Sequence, residues 1–441
     1  MKTLNTCKVG MALTAAAFLG LATSQPAGAI TFSLTDLGTL GGNSSYAADI
    51  NELGQVVGSS TIANGQNRAF LWDNTSGMIR VGELGGNYGY CYYNYCSLSA
   101  KAINDLGQVV GSRYANGEHP FFWDKNSGTI YLYPPSASYG FAFPTAINNL
   151  GQMLGNTYTY FGPYGQNRAF VWENGSDMIN LGTLGTGSYG NSYTFGKAIN
   201  NLGQVVGYSS TTDGDRAFLW EKSSGMSNLG TLGGNYSSAT DINDLGQVIG
   251  TSSTADGQNR AFFWDNNSGM INLGTLGGNN SSATDINDLG QAIGTSTTAD
   301  GQNRLFFWDK SSGMINLGSL GGNNNSATAI NNLGQVIGES YTADGQNRPF
   351  FWDKSSGMSD LNDLVFAPDW ILNSVVGINN AGQIVGNGLY NGQTRAFLLT
   401  PNTAKSVPEP SSALAFLALG AVGAGSLAKR KRQQQEASSR N

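Results

Sequence analysis

An all-β fold, a β-propeller of about eight four-stranded blades, is what three observations on this 441-residue chain predict. The phrase Ile-Asn-x-x-Gly-Gln occurs eight times, starting at Ile50, Ile103, Ile147, Ile199, Ile242, Ile286, Ile330 and Ile378. Its basic period is 44 residues with longer units interspersed, a spacing found in propeller blades and in helical solenoids. Glycine, 62 residues in all, punctuates every unit, and the apolar positions do not follow a 3.6-residue period, which sets helical repeats aside. Finally, one slot holds Trp72, Trp123, Trp172, Trp220, Trp264, Trp308 and Trp352 in seven units and Leu399 in the eighth, as expected of side chains packed between neighbouring blades.

The N-terminus, residues 1–29, reads as a signal peptide. Lys2 and Lys8 precede the apolar run Met11–Thr23, and Ala27-Gly28-Ala29 fits the small-residue rule for cleavage. The run is too short to span a bilayer. The propeller is expected over 30–402. Its first piece, Leu34–Gly42, reads as an outermost strand standing before the first innermost one, and its last, Thr394–Pro401, as a third strand with no fourth after it. A ring would use the former to complete the last blade and so remove exposed sheet edges. An open β solenoid of the same units is the alternative.

Within a unit, taking the copy at Ile242, strand A leads into Asp241-Ile242-Asn243 and the turn Asn243–Gly246 follows. Strand B runs from Gln247 to about Ser252, Asp256-Gly257 closes a hairpin, strand C is Arg260–Trp264, and Ser268-Gly269 leads into strand D, Met270–Leu276. Strand C is apolar on consecutive residues, so both of its faces should be buried.

Charge and chemistry narrow the function classes. With Lys2, Lys8, Lys429, Arg430, Lys431, Arg432, Arg440 and Glu436 set aside, 16 basic and 28 acidic residues remain, a net charge of about −12. That argues against nucleic acid as a partner. The single histidine, His119, stands in a slot that arginine fills in other units, which favours a structural role over general-base catalysis. The acids Asp73, Asp124, Glu173, Glu221, Asp265, Asp309 and Asp353 all follow the repeated tryptophan slot, so they read as turn formers and no catalytic residue is assigned. A carboxylate-dependent glycosidase or polysaccharide lyase is the alternative class. No cofactor is assigned; calcium at the Asp/Asn-Gly turns is the weaker reading, because the dense Asp spacing of a calcium loop is missing. Cys91 and Cys96 are expected to form a disulfide in an oxidising compartment, and one histidine with one cysteine pair makes zinc a poor fit.

Units two to four depart from the pattern through tyrosine-rich insertions at 87–96, 131–143, 158–164 and 188–195. Connections D–A and B–C of an antiparallel meander emerge at the same end, so all four insertions are expected on one face. Tyr90, Tyr92, Tyr93, Tyr95, Tyr158, Tyr160, Tyr189 and Tyr193 are the candidate ligand-binding residues, suited to an extracellular polysaccharide or an envelope protein.

After a linker, 403–412, containing Pro408-Glu409-Pro410, comes the segment 413–432, an apolar run Ala413–Ala428 closed by Lys429, Arg430, Lys431 and Arg432, and then the polar tail 433–441. Four cations after an apolar run hold that end on the cytoplasmic side. These parts resemble the PEP-CTERM sorting signal of exported bacterial proteins. The resemblance implies processing by an integral-membrane exosortase, membrane contact through this segment beforehand, and a final place in the envelope or outside the cell. The repeats themselves resemble the HAF family of extracellular repeats, through Leu-Gly-x-Leu-Gly-Gly openings, the Ile-Asn-x-x-Gly-Gln centre and strands such as Arg68-Ala69-Phe70-Leu71-Trp72. That family implies export and repetition and supplies no catalytic residues.

Overall fold

The units fold back on themselves because their short turns carry the residues a sharp reversal needs. In blade five, strand A is Gly233–Ile242, B is Val248–Thr254, C is Asn259–Asp265 and D is Gly269–Asn272. The A–B turn closes through Gly246 N–H donating to the Asn243 carbonyl at 3.0 Å, with Gly246 at φ +72°. The computed structural model describes residues 30–82, 97–114, 117–133, 140–159, 166–187 and 192–402. Among them lie eight such four-stranded antiparallel sheets, the blades of a propeller, and one short 3₁₀ turn at Leu361–Asp363 on the way into blade eight.

The register explains the consecutive apolar residues of strand C. Phe262 is fully buried against Val206 and Leu229 of blade four, while its neighbour Phe263 packs at 5.4 Å on Trp308 of blade six. Trp172 on Phe122 at 5.2 Å and Trp352 on Phe307 at 5.7 Å repeat that contact. The tryptophan slot is therefore the joint between blades. Burying an aromatic side chain of this kind is worth roughly 2–3 kcal/mol, so two per blade dominate the core. Phe262 also lies over Gly250 of strand B, where an added Cβ would stand 2.1 Å from the Ser238 carbonyl oxygen and 2.8 Å from the Phe262 ring.

The ring closes, and the open solenoid is excluded. Blade eight consists of Trp370–Ile378, Ile384–Tyr390 and Gln393–Pro401, completed by the N-terminal strand Phe32–Asp36. That strand pairs Phe32 with Pro401 and Leu34 with Leu399, and Phe32 meets the Phe351 ring of blade seven edge-on at 5.4 Å. Its limits differ from the expected Leu34–Gly42, and strand D of blade five stops at Asn272 rather than Leu276. Both differences have one cause: Asp36 and Asn272 accept the backbone N–H two residues on, at Gly38 and Gly274 (2.8 Å each), and turn the chain off the sheet edge toward the next blade.

Candidate functional site

The repeated asparagine builds the centre of the ring. In blade five, Asn243 Oδ1 accepts the N–H groups of Leu245 and Gln247, and its Nδ2 donates to Gln247 Oε1 at 2.7 Å and to the carbonyl of Asn287 in blade six at 2.9 Å. The same inter-blade bond runs from Asn51 to Asn104, Asn148, Asn200, Asn243, Asn287, Asn331 and Asn379, and from Asn379 back to Asn51. A second closed circuit follows one residue later, each backbone N–H donating to the side chain of the corresponding residue in the next blade. It passes through Glu52, Asp105, Asn149, Asn201, Asp244, Asp288, Asn332 and Asn380. Together they frame a polar cavity of about 350 Å³ at one mouth of the central channel.

Around this mouth stands a feature the sequence pattern did not announce. The residue just before Gly-Gln is leucine in seven units and Ala381 in the eighth, and Leu53, Leu106, Leu150, Leu202, Leu245, Leu289 and Leu333 are each 61–69% exposed. The sequence places this leucine in the A–B turn, and the turn geometry, with its N–H tied to the buried asparagine, turns the side chain outward.

Deeper in the channel, strand A bulges beside Asp241, and its carboxylate accepts Ile286 N–H of blade six at 3.2 Å. Asp49 does the same for Ile103 at 3.0 Å and Asp285 for Ile330 at 2.8 Å. Burial raises the pKa of Asp49 to about 6. It raises that of Asp241 as well, and burial together with the facing Asp241 carboxylate carries Asp285 well above the usual carboxylate range, since the two carboxyls hydrogen-bond to each other and cannot both be charged cheaply.

The opposite end of the channel carries the D–A and B–C connections. Tyr158 lies near the end of strand B of blade three, Gln152–Thr159, and Tyr193 just before strand A of blade four, Thr194–Ile199, so both candidates stand at this end. Tyr193 joins an aromatic group: its hydroxyl donates to Asp215 at 2.5 Å, its ring meets Tyr208 edge-on at 6.4 Å, and Tyr208 stacks on Phe195 at 5.8 Å with 13° between planes. The Lys197 ammonium lies 4.8 Å over the Phe195 ring. Burial, then Asp215, raises the phenol pKa of Tyr193 far above its ordinary value. Tyr236 of blade five, 37% exposed, is near enough to act on both other phenols, and it also lines a cavity of about 410 Å³ with Thr251, Asn259, Asn280, Ser282, Thr295 and Asn303. Sequence reasoning missed Phe195, Tyr208 and Tyr236 because Tyr208 and Tyr236 fall outside the insertions and Phe195 is not a tyrosine; their positions at the same end of blades four and five were the available signal.

Tyr90, Tyr92, Tyr93, Tyr95, Tyr160 and Tyr189, the Cys91–Cys96 pair, the signal peptide and the C-terminal sorting residues lie outside the described residues. His119 sits in strand C of blade two, Glu118–Asp124, 5.3 Å from the Tyr133 ring, and burial followed by Arg113 lowers its pKa. The acids after the tryptophan are engaged in their own turns: Asp309 accepts the N–H and hydroxyl of Ser311, and Asp353 those of Ser355. Among the described residues no group of three or more metal-ligating side chains comes together, and no helix is long and apolar enough to cross a membrane.

Residues 406–432 match the PEP-CTERM protein-sorting motif. The motif marks the chain for export to the cell envelope or extracellular space and implies processing by exosortase. No curated protein matches the chain. Among solved structures, a puromycin hydrolase S511A mutant is 12% identical with a TM-score of 0.44, over 80% of this chain and 60% of that one. A post-proline cleaving enzyme from Rickettsia typhi is 8% identical, TM-score 0.47, over 77% and 57%. The β-propeller domain of the Trilobed protease from Pyrococcus furiosus is 10% identical, TM-score 0.43, over 72% and 97%. This chain thus spans about 60% of the length of the hydrolase, and likeness at this level assigns no activity to it.

Proposed function

We propose that this exported propeller is a non-catalytic binding module of the cell envelope or extracellular matrix, and that its loop face takes a polysaccharide. The observation that carries the reading is the adjacency of an aromatic platform, Phe195, Tyr208 and Tyr193, to the hydroxyl- and amide-lined cavity that begins at Tyr236. Sugars present apolar ring faces edged with hydroxyls, which such a pairing of stacking surface and neutral hydrogen-bonding groups matches. The tyrosine-rich insertions of units two to four would extend the same face. The turn roles of the recurrent acids, as at Asp309 and Asp353, support a binding rather than a hydrolytic reading.

The test is retention of the purified exported chain on extracellular polysaccharide from the producing cell. Binding should saturate, should fall about tenfold or more in Tyr208→Ala and Tyr236→Ala, by the loss of one to two stacking contacts each worth about 1 kcal/mol, and should release no sugar. Release of reducing ends or unsaturated sugars would replace this reading with a carboxylate-dependent hydrolase or lyase. Unchanged retention in both variants would move the site off this face.

A further inference from the structure

We propose that the annulus of seven leucines around the channel mouth is a membrane-resting surface: the propeller sits with this face against a lipid bilayer, with zwitterionic headgroups over the mouth and leucine tips in the boundary between headgroups and acyl chains. This proposal is independent of what the opposite face binds.

Three observations carry it. First, the leucines are presented as a set on a rigid frame. Each stands on a turn whose asparagine is tied to the next blade, and the glycine of that turn abuts the glutamine of the preceding blade, as Gly290 does Gln247 and Gly246 does Gln204. Soluble surfaces scatter single exposed leucines; a rim of them on seven of eight blades, 61–69% exposed and interrupted only by Ala381 of blade eight, calls for an apolar neighbour. Preorganised turns also lose little conformational freedom when they meet it.

Second, the chain leaves the propeller on this face. Pro401 pairs with Phe32 and its ring lies 3.1 Å from where a Cβ on Gly382, in the A–B turn of blade eight, would stand. Asn402 N–H then donates to the Thr31 carbonyl at 2.8 Å. Ten residues, 403–412, separate Asn402 from the apolar run Ala413–Ala428, and they include Pro408-Glu409-Pro410. Fully extended, ten residues span at most about 35 Å, so in the unprocessed chain an apolar run seated in a bilayer would leave Asn402 no farther than that from the membrane.

Third, charge selects the bilayer over a second copy of the chain. The mouth enclosed by the leucines carries Glu52, Asp105, Asp244 and Asp288. Two copies meeting face to face would oppose these carboxylates around one axis, and like charges in apposition are costly. Zwitterionic headgroups offer ammonium groups to the same carboxylates, whereas anionic lipids would be repelled.

The test uses the full chain with Cys7, Cys91 and Cys96 replaced by serine, reconstituted in phosphatidylcholine vesicles. One environment-sensitive fluorophore is placed at Leu245→Cys or Leu289→Cys, or at Ala255→Cys on the opposite end as the control. A nitroxide carried at shallow depth in the lipid should quench both leucine-site labels about threefold or more over the control, as expected for apolar tips in the headgroup and acyl boundary. The quenching should fall when phosphatidylglycerol is added to the vesicles. Equal quenching at the two ends, or none at the leucine sites, overturns the proposal. A leucine-site blue shift that grows with protein concentration without lipid also overturns it and assigns the annulus to self-association.

Discussion

Asn379 of blade eight donates its side-chain amide to the carbonyl of Asn51 in blade one at 3.1 Å, across 328 residues of sequence. It is the last of eight identical bonds, and it makes the central circuit continuous. A buried polar circuit of this kind stabilises only when every member is satisfied, which fits the presence of asparagine in all eight units.

Asn243→Ala is therefore expected to destabilise the propeller by about 2–4 kcal/mol, the loss of donors and acceptors whose buried partners find no replacement. The midpoint of urea unfolding measures it. Asn243→Asp keeps the acceptor and loses both donors while placing a carboxylate against the Asn287 carbonyl. Burial raises such a group's folded-state pKa, so this variant should be closer to the parent at pH 4.5 than at pH 7.5.

Stability should also depend on the native channel acids. Asp49 has a folded-state pKa of about 6 against an ordinary 3.8, and Asp241 and Asp285 are shifted in the same direction. Protonated forms are favoured by folding, so their stabilising contribution is fully present below about pH 4 and is lost as the pH rises through about 6 and beyond. Asp285→Asn removes the clash with Asp241 and can still accept from Ile330. It should raise the melting temperature at pH 8 relative to the parent and change it little at pH 4.

Gly250→Ala should cost about 3 kcal/mol, the upper end of the usual range for overpacking, because the site has no room to yield. The obstruction is the Ser238 carbonyl together with the Phe262 ring, so strands A and B must move apart. Loss of the near-ultraviolet circular dichroism of the aromatic core, followed through thermal unfolding, would report it.

Phe32→Ala tests ring closure. Phe32 is 3% exposed and packs on Phe351, so its truncation should cost about 3–4 kcal/mol. Limited proteolysis should then cut the N-terminal strand before any blade, because, unlike the outer strands of the other blades, it is not joined to its sheet neighbour by a turn.

Much of this architecture was legible before any coordinates. The eightfold phrase, the tryptophan slot and the consecutive apolar residues of strand C such as Phe262 and Phe263 all report local periodicity, and local periodicity is what a sequence displays. The circuit through Asn243 and Asn287 was hidden because the identity of the accepting carbonyl depends on how blades are set around an axis. Leu245 was legible as a turn residue, but the outward direction of its side chain was not, because that follows from the Asn243 bond to its backbone. The loop face was half legible. Tyr193 was singled out by an insertion that interrupts the repeat, whereas Tyr236 came to light only when blade five was placed beside blade four.

Ring closure also sets an order of events during export. In a chain threaded across N-terminus first, the strand Phe32–Asp36 would enter the outer compartment before all the rest, and its partner Gln393–Pro401 would arrive after all the intervening chain, 367 residues separating Ser33 from Thr400. Blades one to seven are local meanders that can form as they emerge; the eighth must wait, with one unfinished edge waiting at each end of the growing arc. Assembly should thus show fast local phases and one slow step whose loop-closure entropy spans the whole body. In such an order the sorting signal that follows Asn402 would emerge just behind the closing strand, so the address could be read at about the time the ring can be whole.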